Sequence, residues 1–229
     1  MDSTLLATIV VAVDGPSGSG KSSVSRAVAR WLGLRYLDTG AMYRAMGLWM
    51  LQHEVDIVDP VAVVASCHKP HLWSGTDPDR PTISIDGLDV SGAIRTPEAS
   101  HAASSIAVVP EVRARLTALK RNIIGDGGIV VEGRDIGTVV APDALVKVFL
   151  TASPEARAAR RAAEAANITG AAIAQTHADI LHRDRRDSSR ATAPLAKAGD
   201  AVELDTTSLS LEQVVERVIG LIHERINQA

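Results

Sequence analysis

The chain has a single cysteine, Cys67, among 229 residues, so it forms no internal disulfide and suits a reducing compartment. Standing alone, Cys67 reads as a small core residue. Aromatic residues make up 3% of the chain and the net charge is −3, which leaves neither a stacking platform nor a basic footprint for a nucleic-acid polymer. No apolar run reaches the ~18 to 20 residues that span a bilayer. The apolar start, Met1 to Ala12, carries Asp2 and no basic residue, and is expected to be the first strand rather than a signal peptide. These absences point to a soluble, cytoplasmic protein without a membrane partner. Lysine is scarce as well, five residues against nineteen arginines. The guanidinium fork matches phosphate oxygens. Codon bias in an alanine-rich proteome would scatter arginines over the surface, so their positions decide what they mean.

What is present begins with Gly15-Pro16-Ser17-Gly18-Ser19-Gly20-Lys21-Ser22, a complete G-x-x-x-x-G-K-[ST] element, followed by Ser23. The apolar run Leu5 to Val13 precedes it and an amphipathic stretch follows, which is the strand-loop-helix setting that a phosphate-binding loop requires. Its glycines let successive backbone N–H groups turn inward on a polyphosphate, and the following helix adds its positive end. Lys21 can reach the β- and γ-phosphates of such a ligand and Ser22 a Mg²⁺ ion.

The remaining pattern is α/β. Hydrophobic residues at 46% of 229 suffice for one large domain with inserts. Strands are expected at Ile9 to Val13, Leu34 to Leu37, Ile129 to Val131, Val146 to Leu150 and Ala201 to Leu204. Helices are expected at Ser22 to Leu32, stopped by Gly33, at Asp38 to Met50, Val61 to Ser66, Pro97 to Val108, Glu111 to Ile124 and Glu212 to Ile226, with Pro110 as a separator. Between His71 and Gly92 the texture becomes that of a β insertion, with Asp86-Gly87 at the turn of a hairpin from Ile83 to Val90. Alternating strands and helices imply a doubly wound parallel sheet that binds ligands at the carboxyl ends of its strands.

Three groups of residues bear on which phosphate chemistry is meant. Asp38-Thr39-Gly40-Ala41-Met42-Tyr43-Arg44 brings a hydroxyl, a phenol and a guanidinium to neighbouring helix turns, a face for a second small anion. The same residues also read as an ordinary N-cap at Thr39 and a solvated charge at Arg44. Glu132-Gly133-Arg134-Asp135 closes the strand ending at Val131: Glu132 is placed to hold a water on Mg²⁺, Arg134 to bind phosphate and Asp135 to accept from an exocyclic amine, with a structural Arg-Asp pair as the alternative. Third, residues 157 to 190 hold Arg157, Arg160, Arg161, Arg183, Arg185, Arg186 and Arg190 and no lysine, with a turn expected at Asn167 to Gly170. This run reads as a helix-turn-helix flap. Two nucleotides bring on the order of six negative charges, and cations on a closing flap neutralise them and exclude water. Asp179, Asp184 and Asp187 are intramolecular partners that would make some of these arginines a merely solvated face.

The strings DGPSGSGKSS, YLDTGAMYRA, DVSGAIRTPE, VVEGRDIGTVV and RDRRDSSRATAPL together resemble the bacterial cytidylate kinases, a branch of the nucleoside monophosphate kinases, over essentially the whole length. The resemblance implies a three-layer P-loop α/β fold with a central parallel sheet. It implies one domain over residues 1 to 229, with a monophosphate-binding insertion over 39 to 106 and an arginine-rich lid over 157 to 190. The insertion between Pro70 and Gly92 resembles the enlarged acceptor region of that branch. The resemblance further implies that Thr39, Tyr43 and Arg44 line a CMP site, and that Arg95, Ser104, Arg113, Arg134 and Asp135 contact its phosphate or cytosine. Arg183, Asp187 and Arg190 serve the acceptor from the flap, and Arg157, Arg160 and Arg161 the ATP side. Lys21, Arg134, Arg183 and Arg190 stabilise the transferring group, with Mg²⁺ on Ser22 and, through water, Glu132. Implied substrates are ATP with CMP or dCMP, and a monomer is expected. A carboxylate at Asp135 matches the N4 amine of cytosine and repels the carbonyl of uracil. The rival readings are a P-loop kinase for UMP, dTMP, shikimate or dephospho-coenzyme A, and a nucleotide-dependent switch or ATPase. Against the last stands the lack of Asn-Lys-x-Asp and Leu-Ser-Gly-Gly strings.

Overall fold

The computed structural model describes residues 3–164, 177–178, 180–181, 184–190 and 192–228. Five parallel strands form the central sheet: β1 (Val10–Asp14), β2 (Arg35–Asp38), β6 (Ile129–Glu132), β7 (Val146–Thr151) and β8 (Val202–Asp205), in the order β2-β6-β1-β7-β8. β-branched residues dominate because both faces are covered. Val11, Val13, Tyr36, Val130 and Val148 pack under helices α2 (Lys21–Leu32) and α8 (Leu211–Gln228). Ala12, Leu37 and Val131 face α3 (Thr39–Gln52), α5 (Pro97–Ile106) and α6 (Pro110–Ile124).

Strand register decides where the chemistry collects. Val13 and Asp38 both lie opposite Glu132, so Asp14, Asp38 and Glu132 emerge together at the carboxyl edge. The helices leaving that edge are capped by their own sequence. Gly20 enters α2 at φ +89° and Gly33 closes it at φ +66°, both left-handed. The Asp38 side chain accepts from the Ala41 N–H at 2.9 Å to start α3.

A second sheet, antiparallel, is built from β3 (Leu72–Ser74), β4 (Ile83–Ile85) and β5 (Leu88–Asp89), preceded by the short α4 (Pro60–Ser66). Asp86 and Gly87 turn the hairpin with φ +52° and +83°, the mirror-image turn that suits strand twist. The loop leaving β3 returns to the core: Tyr36 N–H donates to the Thr76 carbonyl at 2.8 Å and Arg26 Nε to that of Pro78 at 2.9 Å.

Two expectations need correction, and one element was not foreseen. Ser3–Thr8 is a helix, α1, and the first strand starts at Val10; a short apolar run is compatible with either state, and Leu5 and Leu6 bury their faces as a turn of helix. Pro110 does not separate two helices but is the first residue of α6, where its missing N–H costs nothing, and α5 ends at Ile106. A single π turn, Ile136–Val140, follows β6 where no element was foreseen. Among the described residues no helix is long and apolar enough to cross a membrane.

Candidate active site

The loop after β1 curls because Gly15, Gly18 and Gly20 adopt φ of +144°, +78° and +89°. A Cβ on Gly15 would lie 2.1 Å from the Leu150 carbonyl oxygen, so the loop is seated directly on β7. Ser19 Oγ donates to the Pro16 carbonyl at 3.0 Å, and Lys21 Nζ to the same carbonyl at 2.6 Å. From beneath, Arg157 on α7 (Pro154–Glu164) donates to the Ser17 carbonyl at 3.0 Å and pairs with Asp184 at 2.5 Å. Thr206 Oγ donates to the Ser19 carbonyl at 3.2 Å, and Arg160 donates in turn to Thr206 Oγ at 2.9 Å.

At the mouth of the loop Ser22 Oγ donates to Glu132 Oε2 at 3.0 Å, and the Tyr36 phenol donates to Glu132 Oε1. Burial, with the charge of Asp38, pushes the Glu132 carboxyl up; Lys21 and the two hydroxyls pull it back. Ser22 and Glu132 supply hard oxygen donors, and among the described residues no cluster of three or more His, Cys, Asp or Glu side chains is placed to cage an ion. Two protein oxygens completed by phosphate and water is the arrangement Mg²⁺ favours, so these residues fit it. Asp14, also buried, accepts from the Ile136 and Gly137 N–H groups at 2.9 and 2.8 Å and ties β1 to the π turn. Burial raises its carboxyl to about 6.

The same cleft continues from the phosphate loop to a wall made by α3, α5, α6 and the segment after β6. Four of its cations are held by carboxylates. Arg44 pairs with Asp38 at 2.8 Å, Arg134 with Asp187 at 3.0 Å, Arg190 with Asp187, and Arg113 with Asp135. Burial alone would raise Asp38, but Arg44 and the Ala41 and Gly40 N–H groups hold it below the usual carboxylate value. Thr39 Oγ donates to the Glu132 carbonyl at 2.7 Å, fixing the start of α3 against β6.

Of the residues expected from sequence, Ser17, Gly18, Gly20, Lys21, Ser22, Ser23, Thr39, Tyr43, Arg44, Ser104, Arg113, Glu132, Arg134, Asp135, Arg161, Asp187 and Arg190 come together around this cleft. Gly15, Pro16 and Ser19 form the inner turn of the loop. Arg157 and Arg160 lie behind the loop as braces rather than in the cleft. Arg95 sits on an exposed turn, its Nε donating to the Ser91 carbonyl at 3.2 Å, outside the cleft lining. Arg183 and the turn at Asn167 to Gly170 lie outside the described residues. Asp14, Tyr36 and Lys120 were not anticipated. The signals were there: an acid directly before the loop, a tyrosine between Arg35 and Leu37 in the short strand that leads to Asp38, and the one lysine on α6, seven residues after Arg113.

A strand-end phosphate loop opening into an arginine-lined acceptor cleft, on a five-stranded parallel sheet, defines a P-loop kinase. Residues 11–224 match the family model described as Cytidylate kinase. Proteins named cytidylate kinase from Streptomyces avermitilis and Streptomyces coelicolor are 56% and 58% identical over 219 residues, covering 95% of this chain and 94% of theirs. One from Nocardia farcinica is 49% identical over 96% of this chain and 95% of its own. The chain belongs to the cytidylate kinase family. An uncharacterized protein from Eubacterium ventriosum, 10% identical, shares the fold, with a TM-score of 0.53 over 95% of this chain and 99% of its own.

Proposed function

We propose that the protein transfers the γ-phosphoryl group of ATP to CMP or dCMP, giving ADP and CDP or dCDP. The observation that carries this reading is the continuity of one cleft from the phosphate loop to the buried Arg113–Asp135 pair, in a chain of this family. In this reading ATP lies on the loop and residues 39 to 106 receive the acceptor, while residues 157 to 190 contribute cations over the reacting phosphates.

No general base is required. A nucleoside monophosphate, with a second pKa near ~6, is already a dianion for the most part at pH 7. Its oxygen attacks the γ-phosphorus as the bond from that phosphorus to the β–γ bridging oxygen breaks, and ADP leaves with the electron pair. The task of the protein is to align and to neutralise. Arg44 and Arg134 position the acceptor phosphate, Lys21 and Arg190 stabilise the transferring group, and Asp135 accepts from the N4 amine of cytosine. Ser22 and, through water, Glu132 would hold Mg²⁺, which would supply charge neutralisation on the reacting phosphates. We read the protein as a cytoplasmic monomer.

A coupled ADP-release assay with ATP, Mg²⁺ and each of CMP, dCMP, UMP, AMP, dTMP and shikimate tests the reading. Turnover is expected chiefly with CMP and dCMP. Equal turnover of UMP would remove Asp135 from base reading, and ADP release without an acceptor would place the protein among ATPases.

A further inference from the structure

Behind the acceptor wall lies a lysine with no counterpart in the mechanism above. Lys120 is wholly buried, at 0% exposure, and its Nζ finds no hydrogen-bond acceptor among the described residues. Two groups face it. Asp135 Oδ1 is 3.9 Å away, an ion-pair distance too long for a hydrogen bond, and the centroid of the Tyr43 ring is 4.9 Å away. The Tyr43 hydroxyl and Arg113 Nε are likewise buried without a hydrogen-bond partner among the described residues.

Helix geometry explains the arrangement. Arg113 and Lys120 are seven residues, close to two full turns, apart on α6, so both emerge on one face toward Asp135. Arg113 takes Oδ2 and Lys120 draws Oδ1 from a distance. Burying an ammonium that lacks a hydrogen-bonded partner destabilises a fold, and an apolar side chain of similar length would pack there at less cost. Its place is therefore not explained by stability. Nor does Lys120 line the cleft; Tyr43, Arg113 and Asp135 do.

The geometry points to Lys120 as a positioning residue that sets the base preference of the acceptor site, by fixing the plane of the Asp135 carboxylate and the Tyr43 ring from behind. With Oδ2 given to Arg113 and Oδ1 steered by Lys120, the carboxylate has one orientation in which Oδ1 can still accept from an exocyclic amine. Without the ammonium, rotation about the Arg113 contact is released and the rejection of a carbonyl at the same place weakens. This inference rests on the reading that the acceptor's base meets Asp135.

The test is Lys120→Met, which keeps the length and removes the charge. The expected result is a rise of about tenfold or more in KM for CMP and a fall of about tenfold or more in the ratio of kcat/KM for CMP to that for UMP. KM for ATP should be unchanged and Tm equal to or above that of the wild type. A CMP-to-UMP ratio within about twofold of the wild type, or equal losses for both acceptors with a lowered Tm, overturns the inference. A second measurement needs no variant: in wild-type protein carrying ¹³Cε-labelled lysine, the Lys120 resonance should shift on saturation with CMP and not with ATP, and a resonance unmoved by CMP overturns the inference equally. If the wild type does not phosphorylate CMP at all, the proposed function falls and this inference with it. If it does while the variant keeps its preference, only this inference falls.

Discussion

Three carboxylates leave the sheet side by side, and their surroundings divide the work. Asp38 faces Arg44 and backbone N–H groups, which favour its charge, whereas Glu132 is burdened by burial and by Asp38 itself. Among the described residues Asp14 has no cationic hydrogen-bond partner, only the two N–H groups of the π turn, and burial dominates: its carboxyl rises from 3.8 to about 6. A folded protein that holds this proton more tightly than the unfolded chain loses stability as pH rises from about 4 to about 6, and the whole cost is present above about 6. A gap of that size is worth about 3 kcal/mol. Asp14→Asn cannot titrate, and its amide can accept from only one of the two N–H groups. The variant should therefore be less stable than the wild type at pH 4, with a stability gap that narrows toward pH 7. Urea unfolding at pH 4, 5, 6 and 7 measures it, and a gap that widens with pH would mean that the fold favours the charged form.

At the scale of elements, the arginine-rich stretch divides between two jobs according to which turn of α7 a residue occupies, since Arg157 and Arg161 share one face a turn apart. Arg157, 4% exposed, is a brace under the phosphate loop, while Arg161 lines the cleft. Arg157→Ala should cost about 2 to 4 kcal/mol of stability, since the Ser17 carbonyl and Asp184 lose a buried charged partner. It should also raise KM for ATP while KM for CMP holds. Arg161→Ala should lower Tm less than Arg157→Ala, because Arg161 is half-buried at the cleft where Arg157 is fully buried under the loop, and should lower kcat. Thermal unfolding beside initial-rate kinetics separates the two, and a common pattern in both variants would show that the division is false. The sequence could not make this division. Local signals carried the loop, the Gly33 stop, the Asp86-Gly87 turn and the alternation of strands and helices, because each is decided by neighbours in the chain. Ser17 and Arg157 are 140 positions apart and Tyr36 and Glu132 are 96 apart, so which arginine braces and which faces ligand follows from register across the sheet. The helix at Ser3–Thr8 was hidden for a different reason, since a short apolar run is too brief for its period to be read.

Over the whole molecule, charge is distributed against its own total. The chain carries −3, yet six cationic side chains line the described cleft against four carboxylates, a surplus of two positive charges where anionic substrates enter. The acceptor side is also tied to the ATP side away from the chemistry, by the Thr76 carbonyl on Tyr36 and by Arg30 pairing with Asp79 at 2.5 Å. The Arg30 pair is half exposed and contributes little to stability. Its place on α2 means that the loop from the second sheet rests on the helix that follows the phosphate loop, so the two walls of the cleft share a support. A cleft with low-dielectric walls and a positive surplus concentrates anions by a field that salt screens, from a range of ~10 Å at 0.1 M to ~4 Å at 0.5 M. Direct contacts such as Arg44 to a bound phosphate are screened far less. Raising KCl from ~50 to ~500 mM should therefore increase KM for CMP by about three- to tenfold and alter kcat by less than about twofold. A KM that stays flat across that range would mean that short-range pairing alone captures the acceptor and that the surplus charge serves the reacting phosphates, in which case kcat should carry the salt dependence instead.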